Sequence, residues 1–228
     1  MSALPRLFAA LPARFAAGYD AERPWELLAE ALEAALAELP SSRLEGIVDR
    51  RAHLIGDRIV IEKGARVGPG ATLEGPLRIG ADCEVRAGAY LRGGCWLEAG
   101  AIVGASTEVK RAIFLAGARA PHLNYVGDSV LGAHVNLGAG TILSNFRHDG
   151  REIVIPVGER RIATGRRKLG AILGDGVATG CNSVLNPGTI VGAGTQIYTG
   201  VQLRAGVYPA DAVVKLRQQI EIVPRAGD

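Results

Sequence analysis

The side chains best suited to acid–base chemistry are four histidines, His53, His122, His134 and His148. A neutral imidazole near pH 7 is a natural general base for deprotonating an amine, and a carboxylate usually fixes its tautomer. His122 lies where a sequence repeat changes register, and Glu108 lies 14 residues upstream. Spacing alone leaves open whether His122 is a general base or a surface histidine in a turn. A metal site needs closely spaced ligands, which these histidines lack, so no metal site is expected.

Basic residues form two groups that are suited to phosphate. Arg92, Lys110 and Arg111 lie upstream of the histidine at position 122. A stack of such groups can hold a phosphate, although solvated charge is the commoner explanation for each residue. Residues 160–168 contain four arginines and Lys168, and they either meet the phosphates of a nucleotide or coenzyme or form a solvated loop. No P-loop, dinucleotide-binding glycine motif or nucleophile elbow is present.

An apolar residue recurs every six positions in the middle of the chain, which fits neither an α-helix nor a strand with one solvated face. The repeat comprises Ile61, Val67, Leu73, Ile79, Val85, Leu91, Leu97, Val103, Val109 and Leu115. It predicts an all-β parallel β-helix in which each hexad makes a short strand and a turn, and three hexads make one coil. Cys83 and Cys95 take small inward positions, where packing is expected of them rather than chemistry.

Two features interrupt the repeat, and segments that break a rule are where function is expected. Leu115 ends the first frame and Tyr125 begins a second, which predicts a local distortion of the coil at residues 119–124. Residues 145–170 leave the repeat altogether. Strand-like stretches within them predict a long loop with hairpin character, and loops of this length are usually functional.

Three regions are expected along the chain. Residues 1–46 form an N-terminal helical extension, with a disordered or loosely helical lead-in at residues 1–19 and an apolar stripe that predicts a helix over residues 24–40. Residues 47–208 form the β-helix domain with its loop insertion. Residues 209–228 form a short cap over the open end, because terminal coils expose unpaired strand edges.

Composition narrows the classes of function. The chain has 26 Lys and Arg against 23 Asp and Glu, a balance that excludes a dedicated nucleic-acid or polybasic membrane binder. Apolar residues make up 48%, which is enough for a core and argues against disorder. No run of 18 apolar residues occurs, so no membrane span is expected. The three widely spaced cysteines are expected to be reduced thiols of a cytoplasmic protein.

Three motifs resemble a known enzyme family: residues 121–132 (PHLNYVGDSVLG), residues 135–141 (VNLGAGT) and the Ser-Asn pair at 144–145. They resemble the acetyltransferase half of the bifunctional sugar-1-phosphate nucleotidylyltransferase/N-acetyltransferases, which are hexapeptide-repeat acyltransferases. The PHLNY form and the run GRRKLG at residues 165–170 resemble the archaeal branch. The likeness covers about residues 24–208. It implies a homotrimer of left-handed parallel β-helices with active sites between subunits, and transfer of acetyl from acetyl-CoA to the amine of glucosamine 1-phosphate.

The resemblance assigns roles residue by residue. His122 matches the general base, Glu108 matches the carboxylate that orients it, and Asn145 matches a catalytic asparagine near the sugar and the thioester. The expected contacts to the sugar phosphate are Arg92, Lys110, Tyr125 and Asn136, and those to the coenzyme are Ala139, Cys181 and Thr199. Amide formation requires no metal, and no nucleic-acid or membrane partner is expected.

Three departures from the family pattern bear on the acetyl-donor side. Phe146 stands where the bacterial family has a tyrosine, and a phenyl ring cannot donate a hydrogen bond to an oxyanion. Cys181 stands where the family has a serine near the thioester. A family lysine in the loop beyond the tyrosine has no clear match, and Arg147 or Arg151 is the expected substitute.

The sequence contains no counterpart of the nucleotidylyltransferase half, and three interpretations stay open. The leading one is an N-acetyltransferase for glucosamine 1-phosphate in UDP-N-acetyl-sugar synthesis. The second keeps the chemistry but has galactosamine 1-phosphate or a nucleotide-linked amino sugar as acceptor. The third is a non-catalytic trimeric scaffold for a separately encoded nucleotidylyltransferase. Phe146 favours the scaffold, whereas the joint presence of His122, Glu108, Arg92 and Lys110 argues against it.

Overall fold

The computed structural model describes residues 4–223, and short parallel strands dominate it. The strands lie in three ladders, faces A, B and C, which enclose a parallel β-helix. Face A comprises β1 (Arg43–Leu44), β4 (Ile59–Ile61), β7 (Leu77–Ile79), β10 (Cys95–Leu97), β13 (Ile113–Phe114), β16 (Val130–Leu131), β21 (Ala171–Leu173), β24 (Thr189–Val191) and β27 (Gly206–Tyr208). Face B comprises β2 (Ile47–Val48), β5 (Arg66–Val67), β8 (Glu84–Val85), β11 (Ile102–Ala105), β14 (Arg119–His122), β17 (Asn136–Leu137), β22 (Ala178–Thr179), β25 (Gln196–Ile197) and β28 (Val213–Val214). Face C comprises β3 (His53–Ile55), β6 (Thr72–Glu74), β9 (Tyr90–Leu91), β12 (Glu108–Lys110), β15 (Tyr125–Gly127), β18 (Ile142–Leu143), β23 (Val184–Leu185) and β26 (Gln202–Leu203).

The all-β fold class predicted from the hexads is confirmed. Where the repeat is regular a coil takes 18 residues, so that Tyr90 pairs with Glu108 on face C. Residues in the same inward slot of successive coils therefore stack into one continuous apolar core. Burying each large aliphatic side chain in such a core contributes about 1.5–3 kcal/mol. Cys83 and Cys95 are buried free thiols in this core, as predicted.

The distortion predicted at residues 119–124 is wrong. This stretch continues the regular ladder, in which Val103 pairs with Ala120. The frame changes instead at two corners between faces C and A, one after β12 and one after β15. Each corner lacks one residue of the repeat, so that Ile113 pairs with Val130, 17 residues away.

The two short corners change which residue enters the interior. At the first corner Phe114 is inside, whereas Leu115, the inward residue expected from the hexads, joins an apolar cluster outside the β-helix. At the second corner Val126 is inside, and Tyr125 lies partly exposed on face C. Two adjacent residues at each corner are large and apolar or aromatic, so the sequence pattern could not choose between them.

The N-terminal extension covers face A. Its apolar side chains pack in the outer cluster with outward residues of that face, such as Trp96 and Ile172. The single helix predicted for residues 24–40 is broken at Ala29, whose φ and ψ of −97° and −117° are not helical. The helical elements are α1 (Ala13–Ala16), a 3-10 segment (Pro24–Leu28) and α2 (Glu30–Ala37).

The lead-in is packed rather than disordered from residue 4 onward. Leu7 and Phe15 are buried in the outer cluster. The carbonyl oxygen of Leu7 accepts a hydrogen bond from the N–H of Asp175, 2.8 Å away. The lead-in is therefore tied to the coil that contains Asp175.

The insertion at residues 145–170 contains the predicted hairpin, formed by β19 (Val154–Val157) and β20 (Arg160–Ala163). One side of the hairpin is buried in the same outer cluster as the N-terminal extension. An ion pair of 3.0 Å between Arg166 and Glu26 joins the two segments as well. Extension and insertion thus form one layer over face A.

The β-helix reaches past both of its predicted limits. β1 lies in the predicted extension and β28 in the predicted cap, and each pairs with the neighbouring coil. Residues 215–223 form no strand or helix. Ile220 and Ile222 are 80% and 92% exposed, so these side chains cap nothing within a single chain. The rest of the predicted cap, residues 224–228, and residues 1–3 of the extension lie outside the described residues.

Candidate active site

A pocket on face C collects most of the residues predicted to bind a sugar phosphate. Its volume is about 380 Å³. It is lined by Arg92, Lys110, Tyr125, Asn145, Phe146 and Lys168. Tyr90 pairs with Glu108, so Arg92 and Lys110, two residues further on, fall in one column. The next coil adds Tyr125, which pairs with Glu108. The ladder therefore brings residues from three coils to one surface.

Tyr125 and Asn145 meet at the centre of the pocket. The Tyr125 hydroxyl donates to Asn145 Oδ1 at 3.3 Å, and Asn145 Nδ2 donates to the buried Asp128 carboxylate. Gly127 leaves room for this arrangement, because a Cβ there would lie 2.6 Å from Asn145 Nδ2 and 2.8 Å from the Tyr125 hydroxyl oxygen. Burial, followed by the charges of Glu108 and Asp128, raises the pKa of Tyr125. Tyr125 is therefore a neutral phenol at physiological pH.

The remaining pocket side chains are mostly cationic. Arg92 Nη1 donates to Glu108 Oε1 at 3.1 Å, so one of the cations has a counterion. Burial lowers the pKa of Lys110, and although Asp128 acts to raise it, Lys168 and Arg92 lower it. The cations repel one another, and a bound anion would relieve that repulsion.

A second group of predicted residues forms a line along the corner between faces B and C. The ladder of face B pairs Arg119, Asn136, Ala178 and Gln196 in four successive coils. The residues three positions beyond these are His122, Ala139, Cys181 and Thr199. The predicted base and the predicted coenzyme contacts therefore occupy equivalent positions, one coil apart, which we call the corner line. Successive coils are about 4.8 Å apart.

The backbone of the corner line presents unused donors. Within residues 4–223, the N–H groups of Ala139, Cys181 and Thr199 donate to no protein acceptor. The carbonyl oxygens of Ala139 and Cys181 accept hydrogen bonds from the next coil, from the N–H groups of Asn182 at 2.8 Å and Gly200 at 2.9 Å. The side chains of Cys181 and Thr199 are exposed. The corner can therefore receive an extended chain that carries amide carbonyls.

His122 and Glu108 are not joined in the single chain. The His122 imidazole is exposed and, within the described part of the chain, has no hydrogen-bond partner, since Glu108 is paired with Arg92. His122 precedes Tyr125 by three residues but does not line the pocket. Asn136 lies on face B, exposed and away from the pocket. The predicted residues thus fall into the pocket group and the corner line, with Asn136 beside the latter.

Lys168 is the pocket residue that the sequence left unassigned. It is held there by a β-bridge to Phe146, at the point where the insertion returns to the β-helix. Arg147, one expected substitute for the family lysine, pairs with Asp149 at 2.6 Å, and neither Arg147 nor Arg151 lines the pocket. The basic run of the insertion was the available signal, but only the path of the loop shows which member of the run reaches the site.

Phe146 forms a wall of the pocket and is 44% exposed.

Residues 4–223 contain no group of three or more His, Cys, Asp or Glu side chains placed to hold a metal ion. No helix over the same residues is long and apolar enough to cross a membrane.

Two curated proteins are similar to this chain over most of its length. A bifunctional sugar-1-phosphate nucleotidylyltransferase/acetyltransferase of Sulfurisphaera tokodaii is 39% identical over 188 residues, which are 82% of this chain and 46% of that protein. The bifunctional protein GlmU of Methanococcus maripaludis is 33% identical over 201 residues, which are 86% of this chain and 48% of that protein. The chain is homologous to these bifunctional proteins. It spans about half the length of the curated relatives it matches.

No protein-family model matches the chain. Among solved structures, a hexapeptide transferase family protein from Anaplasma phagocytophilum aligns over 80% of this chain and 86% of that one, at 14% identity and a TM-score of 0.27. A likeness this low carries no argument, and the β-helix is shown by its own strand ladders.

Proposed function

We propose that this chain transfers an acetyl group from acetyl-CoA to the amine of an amino-sugar 1-phosphate, with glucosamine 1-phosphate as the leading acceptor and galactosamine 1-phosphate as the second. The observation that carries the proposal is the cationic pocket of Arg92, Lys110 and Lys168 beside the corner line that starts at His122. A phosphate site, a base and a path for a coenzyme lie on adjoining surfaces. The name of the homologous Sulfurisphaera tokodaii protein, which contains both a sugar 1-phosphate and an acetyl transfer, supports this pairing.

The pocket suits the phosphate of the acceptor. Arg92, Lys110 and Lys168 offer charged donors, and a hydrogen bond to a charged group contributes about 1.5–3 kcal/mol. Their partial exposure places each contribution at the lower end of that range. A phosphate at Arg92 competes with Glu108 for the guanidinium. That competition frees the Glu108 carboxylate to orient His122.

His122 is the proposed general base. It takes a proton from the ammonium of the sugar, and the resulting amine attacks the thioester carbonyl of acetyl-CoA. The C–N bond forms, the C–S bond breaks, and the proton that the nitrogen loses on forming the amide passes to the coenzyme sulfur, which leaves as a thiol. Asn145 holds the sugar side of the reaction through its contact with Tyr125, so that positioning supplies part of the rate.

The corner line is the proposed path of the coenzyme. The pantetheine arm of acetyl-CoA is extended and carries two amide groups, whose carbonyls are acceptors. The free N–H groups of Ala139, Cys181 and Thr199 recur at about one coil, or 4.8 Å, and match such acceptors. The reaction draws on acetyl-CoA, so the proposal keeps the cytoplasmic location that the unpaired cysteines predict.

The proposed active assembly is a homotrimer, as the family resemblance implies. Extension and insertion cover face A, so faces B and C are left for contact between subunits. The pocket and the corner line both lie on or beside these two faces. A neighbouring copy would close the pocket, which is open in a single chain.

The test measures thiol release from acetyl-CoA with glucosamine 1-phosphate and galactosamine 1-phosphate offered in parallel. Three proteins are compared: native, His122→Ala and, as a matched control, His53→Ala, which changes an exposed histidine of the third strand. We expect His122→Ala to lower kcat by about 10²–10⁴, the usual contribution of a general base, with the oligomer intact. The control should keep native turnover, and the ratio between the two sugars names the acceptor.

Each adverse result has a definite meaning. Native turnover in His122→Ala refutes the role of the base. No turnover with either sugar, from folded native protein, refutes an amino-sugar 1-phosphate as the acceptor and shifts the weight to a different acceptor or to the scaffold. The scaffold predicts co-purification with a separately encoded nucleotidylyltransferase.

A further inference from the structure

Asp128 is a buried carboxylate next to the pocket, and the proposed reaction does not use it. It occupies the short corner after β15 and is 5% exposed. One carboxylate oxygen accepts a hydrogen bond from Asn145 Nδ2, and the other lies 4.0 Å from Arg111 Nε. Its backbone is also engaged: its N–H donates to the Lys110 carbonyl and its own carbonyl accepts from the N–H of Gly170, both at 2.8 Å.

The contact with Asp128 decides which way the Asn145 amide points. An ionised carboxylate only accepts hydrogen bonds, so the NH₂ end of the amide must face Asp128. The carbonyl end, Oδ1, then faces the Tyr125 hydroxyl at 3.3 Å. With the amide reversed, two acceptors would meet at Asp128, and the Tyr125 hydroxyl would accept from Nδ2 instead of donating to Oδ1. The carboxylate therefore sets the direction of the Tyr125 hydrogen as well.

We propose that Asp128 is a positioning residue, which fixes Asn145 and through it Tyr125 for binding of the acceptor. The proposal rests on the proposed function for its kinetic consequence only. Holding Arg111 is not the role of Asp128, because the Arg111 guanidinium donates its hydrogen bonds to the Leu28 carbonyl and to Glu33, at 2.9 and 2.6 Å.

The N-terminal extension supports this arrangement from outside the β-helix. Its hold on Arg111 places a guanidinium group 4.0 Å from the Asp128 carboxylate. The extension also pairs Glu26 with Arg166, two residues before the pocket lysine, Lys168. Residues 24–37 therefore contact both Arg111, next to Lys110, and the segment that leads to Lys168.

Two substitutions separate positioning from folding. The φ of Asp128 is 42°, a left-handed conformation that glycine and asparagine tolerate and alanine does not. Asp128→Gly removes the carboxylate without backbone strain, and Asp128→Asn returns an acceptor oxygen without the charge. Asp175→Ala is the matched control, because that carboxylate also accepts hydrogen bonds, in its case from the backbone N–H groups of Ala9 and Ala133, but does so away from the pocket.

The first readout needs no activity. In ¹H–¹⁵N spectra of the full chain, with the Asn145 side chain assigned by its loss in Asn145→Ala, we expect its amide hydrogens to exchange about 10-fold faster in Asp128→Gly. Asp128→Asn should recover part of the protection, and Asp175→Ala should leave it native. Native exchange in Asp128→Gly would overturn the proposal, whether or not the chain transfers acetyl groups.

The second readout is the split between kcat and KM with glucosamine 1-phosphate. We expect Asp128→Gly to lower kcat/KM for the sugar by about 10-fold or more, with KM for acetyl-CoA unchanged and partial rescue in Asp128→Asn. Asp175→Ala should lose stability but keep native kcat/KM. Equal losses in Asp128→Gly and in the control would overturn positioning in favour of a purely structural role. If native protein shows no turnover, the proposed function fails and the exchange experiment alone decides about Asp128.

Discussion

Lys168 is the residue whose removal most directly tests the pocket as a phosphate site. The loop insertion returns to the β-helix at its bridge with Phe146, and this return carries the ammonium group into the pocket with Arg92 and Lys110. Lys168→Met keeps the length and most of the volume of the side chain and removes its charge. We expect it to weaken binding of an acceptor phosphate while the fold persists.

The magnitude follows from two opposing effects. A charge-assisted hydrogen bond from an exposed lysine is at the low end of the usual range, about 1.5 kcal/mol, which corresponds to about 10-fold in Kd. Removing Lys168 also relieves repulsion, because Lys168 lowers the pKa of Lys110. The relief offsets part of the loss, so the expected weakening is about 3- to 10-fold.

Calorimetric titration with glucosamine 1-phosphate, and separately with inorganic phosphate, at low and at physiological salt, measures this change. Lys168→Arg keeps the charge and should bind within about 2-fold of native protein. Lys63→Met removes the same charge in a turn remote from the pocket and controls for net charge. Native affinity in Lys168→Met would refute the assignment of Lys168. An equal loss in Lys63→Met would show that long-range charge, and not a pocket contact, is measured.

Three further predictions concern space, thiols and pH. Gly127→Ala should place a methyl group against both Asn145 and the Tyr125 phenol, which should lower the unfolding free energy by about 1–3 kcal/mol and remove most of the affinity for the sugar. Chemical denaturation and sugar titration test this, and native values in both would contradict the steric argument. Thiol titration at pH 8 should find one reactive cysteine, Cys181, because burial raises the pKa of Cys83 to about 11 and that of Cys95 to about 12. Acetyl-CoA should slow the reaction of Cys181, and a second fast-reacting thiol would refute the burial of the other two. Phosphate affinity should fall with rising pH below the pKa of an ordinary lysine, because the pKa of Lys110 is lowered in the folded protein and its charge is lost above that pKa. Phosphate titrations across the alkaline range test this, and a fall in affinity only at the ordinary lysine pKa would contradict it.

The sequence was enough to predict the column of Arg92 and Lys110. Their separation equals one 18-residue coil, and a covalent repeat places residues one period apart at the same point of successive coils. The same arithmetic connects Cys181 with Thr199, both in the line predicted for the coenzyme. Local spacing was sufficient here because each step is a single uninterrupted coil.

The six-residue spacing failed to predict the inward residue where two adjacent residues of similar hydrophobicity could each point inward. Phe114 and Leu115 are adjacent and apolar, and either one could fill the interior. The choice depends on a corner one residue shorter than its neighbours, and corner length depends on backbone geometry that an apolar pattern does not encode. The predicted distortion was therefore assigned to the wrong residues.

The hexad repeat alone determined that this chain forms a stacked parallel β-helix and which side chains recur on its surface, because both follow from spacing along the chain. Only the tertiary structure decided that Lys168 lines the pocket, that Asp128 lies beside it and binds Asn145, and that Glu108 pairs with Arg92 rather than with His122. Lys168 is brought to the pocket by a loop that leaves and rejoins the β-helix, whereas Asp128 lies in a short corner of one coil and meets Asn145 from the next coil. Such contacts depend on how distant segments pack, and neither the period of the repeat nor the identity of any one residue contains that information.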